Sequence, residues 1–166
     1  APAGNEADEG EDNVNSGAEQ MSSVLARCLE AGVRFDPTYP PDANSDHLPM
    51  ALCALAGLGA DDTALIEFER RHSKWQVPHG RAEFRVASPL DHLGDYAAYP
   101  ALLEHLRDRV AGEGARETVA NLLPALLPAL AAEAFHPAIR LGYGLRFGCD
   151  VETAAALAYM IASHVE

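Results

Sequence analysis

Apolar residues recur three and four apart through most of the chain, the spacing that lays one stripe of a helix against a core. Met21, Val24, Leu25, Cys28 and Leu29 form such a stripe, predicting a first helix over about 18–33 that Gly32 and then Pro37, Pro40 and Pro41 end. An extended connector reaches Asn44. Ser45 or Asp46 then caps a second helix with Pro49 in its first turn, and Met50, Ala51, Cys53, Ala54, Leu55 and Leu58 make it apolar nearly all round. A third helix, opened by Asp61-Asp62-Thr63 and running to about Trp75, sets Leu65, Ile66 and Phe68 against a charged face holding Lys74, the single lysine. After a loop over 76–98 with His79 and His92, Pro100 starts a fourth over about 99–111, with Leu102, Leu103, Leu106 and Val110 inward and His105 outside. Residues 115–134 are helical in pattern but contain Pro124 and Pro128. An interior proline costs a helix about 3 kcal/mol, so a kink or break is expected near Leu123. Asp150 caps a last helix to about Val165, apolar along Ala154, Leu157, Ala158, Ile161 and Ala162.

Between these last two lies the stretch from Ala134 to Phe147, which reads as a buried helix yet carries groups that burial penalises. His136, Arg140, Tyr143 and Phe147 fall on one face with Ile139 beside them; Phe135, Ala138, Gly142 and Leu145 fall on an adjacent small or apolar face. Pro137 suits a first turn. Gly142 and Gly144 each cost about 1 kcal/mol relative to alanine inside a helix, which close approach of another backbone or of a ligand would offset. Two readings stand side by side. The polar groups form a site, or His136 is a hydrogen-bonded core histidine and Arg140 pairs with a carboxylate such as Glu133 or Asp150. His47, on the Met50, Ala51 and Ala54 face at the start of the second helix, is open in the same way. It is a neutral imidazole able to accept a metal or a proton, or a capping, solvent-facing residue.

Alanine and leucine are abundant and β-branched residues scarce, so the fold class is all-α: a single-domain bundle of about six to seven helices over 18–166, with no significant sheet. Residues 1–17 hold five acidic and no basic side chains and almost nothing to bury, which reads as a disordered acidic tail. The formal net charge of −13 has the wrong sign for nucleic acid or an anionic membrane surface. No apolar run approaches the ~18 residues of a membrane span. Cys28, Cys53 and Cys149 are odd in number and far apart, against a disulfide framework or a paired-cysteine zinc site and in keeping with a reducing cytoplasm.

His47-Leu48-Pro49-Met50-Ala51-Leu52, then Leu93-Gly94 with Tyr99-Pro100, then Phe135-His136-Pro137-Ala138-Ile139-Arg140-Leu141-Gly142-Tyr143-Gly144-Leu145, in this order and spacing, resemble the questin oxidase-like family over about 46–161. The resemblance implies a wholly helical oxygenase fold, with members that oxidise and open rings of anthraquinone-type polyketides. It implies Baeyer–Villiger-type chemistry with a reduced nicotinamide such as NADPH, or a histidine-bound non-heme iron. On this resemblance His47 and His136 are the iron ligands of this half, Arg140 an anion or carbonyl partner and Tyr143 a hydrogen-bond donor in the same cavity. It further implies a protein about twice as long, whose other part brings more histidines and a lysine to the metal, since two histidines alone do not complete an iron site. A partner chain or second copy, or one of His79, His92, His105 and His164, would have to fill in; His164 shares a face of the last helix with Leu157 and Ile161.

The expectation is therefore an oxidoreductase of secondary metabolism acting on an apolar aromatic small molecule, its two distant imidazoles converging on a shared interior pocket. The alternative is a non-catalytic helical subunit or binding module. Either one should associate, because a half-length helical relative leaves an apolar face uncovered.

Overall fold

The computed structural model describes residues 21–40 and 44–165; the acidic tail expected over 1–17 lies outside them. Seven α-helices run in chain order among the described residues: α1 Ser23–Gly32, α2 Leu48–Gly57, α3 Asp62–His72, α4 Tyr99–Glu113, α5 Ala115–Leu126, α6 His136–Phe147 and α7 Asp150–Ala162. The only paired strands described are β1 Thr38–Tyr39 and β2 Asn44–Ser45, two residues each and antiparallel, inside the expected connector. The all-α expectation holds.

Local chemistry sets the helix ends. Ser22 Oγ accepts from Leu25 N at 3.1 Å and Asp61 Oδ1 from Ala64 N at 2.8 Å, each relieving an orphan donor of a first turn. The Ser22 cap starts α1 later than its apolar stripe suggests. At α2 neither Ser45 nor Asp46 is the N-cap: His47 holds that position without a side-chain cap bond, and Asp46 Oδ1, one residue earlier, accepts from Leu48 N at 3.0 Å. α5 carries Pro124 inside and breaks a turn later than expected, where Leu127-Pro128-Ala129 tightens into a 3-10 turn.

The centre of the fold is α7, every residue of which from Glu152 to Ala162 is buried. α7, not α2, is thus the helix covered on all sides. α2 is buried at Leu48–Met50, Leu52 and Cys53, but Leu58 at its end is 85% exposed. The alanines of α7 let α6 and α4 lie close on either side of it, and α5 and α1 complete the wrap. At Gly144 a Cβ would stand 2.7 Å from Thr153 Oγ1 and 2.8 Å from Thr153 N, so this glycine exists for the approach of the α7 backbone. Gly142 faces open space, and close approach does not explain it. No described helix is long and apolar enough to cross a membrane.

Candidate active site: a histidine pair at two helix starts

α2 and α6 pack side by side with their first residues adjacent. Leu48, Pro49 and Met50 on one, and Pro137, Arg140 and Leu141 on the other, are the buried anchors that fix this register. The residue before each anchor is a histidine. His47 Nε2 and His136 Nε2 lie 2.8 Å apart, with ring centroids 4.5 Å apart and planes at 84°. Two imidazoles 89 residues apart in the chain therefore converge. They do so at the surface, with His47 exposed and His136 half-buried, which corrects the expectation of an interior pocket. The apolar anchors take the inward positions and leave the terminal residue of each helix outward.

His136 is held from behind. Its Nδ1 donates to the backbone carbonyl of Glu133, and a carbonyl can only accept, so the proton sits on Nδ1. The Nε2 atoms of His47 and His136 share a single hydrogen bond, so one of the two carries the proton. The carbonyl is delivered by an unusual turn: Glu133, Ala134 and Phe135 have φ of 50°, 52° and 68°, three successive non-glycine residues in the left-handed region. Each costs about 1–2 kcal/mol, and strain of this kind persists where the surroundings over-determine it, often beside functional groups.

Behind the turn stands Tyr159 of α7, whose hydroxyl lies 3.3 Å from Glu133 Oε2 and 2.8 Å from Ser45 Oγ. Burial pushes this hydroxyl's pKa up. Residue-level reading of the sequence gave Ser45 a capping role and Glu133 a pairing role with Arg140, and missed Tyr159 altogether. Tyr159 gave one signal, as a hydroxyl among the apolar residues of the last helix.

Arg140, one turn after His136, is 3% exposed and grips Glu152 of α7 twice, Nε to Oε1 at 2.6 Å and Nη2 to Oε2 at 2.9 Å. The cavity-facing role expected for it gives way to a core role, because a buried guanidinium needs a counter-charge and Glu152, not Glu133 or Asp150, supplies it. Tyr143 is half-buried, its ring 6.5 Å from that of Phe147. Of the other histidines, His79 is engaged by the carbonyls of Val33 and Gly80, and His92 stacks on Phe84 with Asp95 at 3.7 Å. His164 sits at the end of α7 with its carbonyl against Gly94.

The pair fits two ligands of a metal ion. Adjacent ligands of a six-coordinate ion at about 2.1 Å stand about 3.0 Å apart, close to the 2.8 Å seen here, and a ligating histidine characteristically donates its other N–H to a carbonyl. The donor set stops at two: among the described residues no group of three or more His, Cys, Asp or Glu side chains is arranged to hold a metal. Nor does the large cleft of about 680 Å³ lined by Arg27, Glu30, Arg107, Asp108, Cys149 and Asp150 include either histidine.

The model of the questin oxidase-like family matches residues 44–166, from the segment before His47 through α7. The chain belongs to the questin oxidase-like family. No curated protein matches it. Both histidine motifs fall inside the family match, and membership supports an oxidoreductase-type function in secondary metabolism.

Proposed function

We propose that the chain is an oxygenase of polyketide-type secondary metabolism that oxidises an aromatic ring at a non-heme iron bound by His47 and His136. The observation that carries this is the pair itself, two Nε2 atoms 2.8 Å apart with the far nitrogen of His136 fixed on a backbone carbonyl. Activation of dioxygen is the chemistry a bound iron supplies, and a reduced nicotinamide such as NADPH is the electron source implied by family alone. The protein's own contribution is orientation. His47 and His136 bring their Nε2 atoms to one point, where both would be lone-pair donors once a metal displaces the proton they share; Tyr143, two turns along α6, donates a hydrogen bond to a substrate oxygen, and Arg140 keeps α6 seated on α7 beneath them.

The substrate in this reading is an apolar aromatic molecule lying against the start of α6, where Phe135 and Ile139 are 50% and 44% exposed. A partner chain or a second copy completes the donor set in this reading. Three buried free cysteines accord with a reducing cytoplasm.

Metal content by mass spectrometry, on protein purified without chelator, tests the assignment. Stoichiometric iron in wild type and its loss in His136→Ala is the expected result; a folded protein without metal in either form overturns it. The second reading, a non-catalytic helical module, is favoured by one observation, the absence of a third donor among the described residues. Native mass separates the remaining issue, and a clean monomer at micromolar concentration counts against a partner-completed site.

A further inference from the structure

The two segments that present the histidines are tied together at one point. Ser45 lies two residues before His47, and Glu133 three residues before His136, its carbonyl holding the His136 ring. Tyr159, wholly buried in the last turn of the central helix, reaches both: 2.8 Å from Ser45 Oγ and 3.3 Å from Glu133 Oε2. A hydroxyl has one proton to give and can accept as well. Donation to the Glu133 carboxylate therefore leaves Tyr159 free to accept from the Ser45 hydroxyl, and both contacts form at once.

We propose that Tyr159 is a positioning residue that sets the separation of His47 and His136, and the hold of the Glu133 carbonyl on His136 Nδ1, by clamping Ser45 and Glu133 to the rigid α7. Without the clamp, the left-handed turn over Glu133–Phe135 loses the side-chain contact that offsets its strain, and relaxing it carries the Glu133 carbonyl away from His136 Nδ1. Free imidazole then reverts toward its ordinary tautomer mixture, and the two Nε2 atoms no longer share one point.

Nothing in this rests on the iron reading except the purpose of the pair, so the test has two arms. Ring nitrogen shifts of the metal-free, full-length protein report the tautomers directly; affinity for Co2+ alone reports the pair as ligands. In wild type, His136 should show a protonated Nδ1. Tyr159→Phe, which keeps the ring and its packing, should move that pattern toward free histidine and weaken Co2+ binding about tenfold. Tyr96→Phe is the comparison. It removes a half-buried hydroxyl, one bonded to Asp36 and to Thr38, from a ring 6.4 Å from that of Tyr159, and reaches Ser45 only through the Thr38–Ser45 strand pairing, so it should change both readouts much less. Should Tyr159→Phe fail to fold, Ser45→Ala cuts one arm of the clamp and is read the same way.

Unchanged ring shifts in folded Tyr159→Phe, or equal changes in Tyr96→Phe, overturn the proposal. Shifted tautomers in a protein that binds no Co2+ even as wild type uphold the clamp and sink the iron assignment instead.

Discussion

His136 and Arg140 stand one turn apart on α6, each bonded to a side chain from another segment, and their surroundings could hardly differ more. Arg140 is sealed against α7, its guanidinium forked onto Glu152. His136 meets His47 at an edge where water has access. In the first pair both charges have left water, so each depends on the other. In the second, either ring can return to water at little expense, which leaves the pair available for a ligand. A polar residue on an apolar helix is thus assigned to scaffold or site by what faces it and how deeply, not by its chemical type.

The contrast can be attacked first at its strong end. Arg140→Ala or Glu152→Ala, each stranding a buried charge, should destabilise the protein by about 3–5 kcal/mol in denaturant titration. The double change Arg140→Met with Glu152→Leu should recover most of that loss, and equal losses for single and double variants would refute the dependence. Next comes the fit between α6 and α7. Gly144→Ala drives a methyl group onto the Thr153 backbone and should cost about 1–3 kcal/mol, whereas Gly142→Ala, in open space two residues away, should stabilise by up to about 1 kcal/mol. If the two alanines shift the melting temperature alike, the close approach is not what fixes Gly144.

His136→Ala is expected to change stability by about 1 kcal/mol or less, since it removes surface contacts, while abolishing metal retention. A loss as large as that for Arg140→Ala would make His136 scaffold after all. The smallest effect at neutral pH comes from Cys53, beside the Glu152 end of the core. Burial, with the Glu152 charge next in weight, pushes its thiol from an ordinary 9.0 up to about 12. The raised pKa favours the protonated form in the folded state, so its stabilisation is complete below pH 9.0 and is lost as pH rises toward about 12. Thermal melts across that window should fall more steeply in wild type than in Cys53→Ala.

Much of the fold could be read locally. Apolar periodicity placed all seven helices, prolines and glycines bounded them, and Asp46, Asp61 and Pro137 marked their starts, because a helix end is decided within a turn of itself. The break after Pro124 was misjudged by a turn, since α5 tolerates the missing bond and ends at Leu126. The site was legible only through its motifs. No spacing relates His47 to His136 across 89 residues, and nothing near Arg140 pointed to Glu152 among several acidic neighbours.

By itself, then, the sequence determined which segments are helical and which residues were polar where burial would penalise them. The tertiary structure alone decided that α7 lies at the centre, that Arg140 is matched in the core, that two imidazoles meet at the surface, and that Tyr159 spans the segments presenting them. The physical reason is range. Backbone hydrogen bonds and caps are satisfied within about four residues, whereas a buried charge or a pair of ligands is satisfied by whatever chain packing brings alongside.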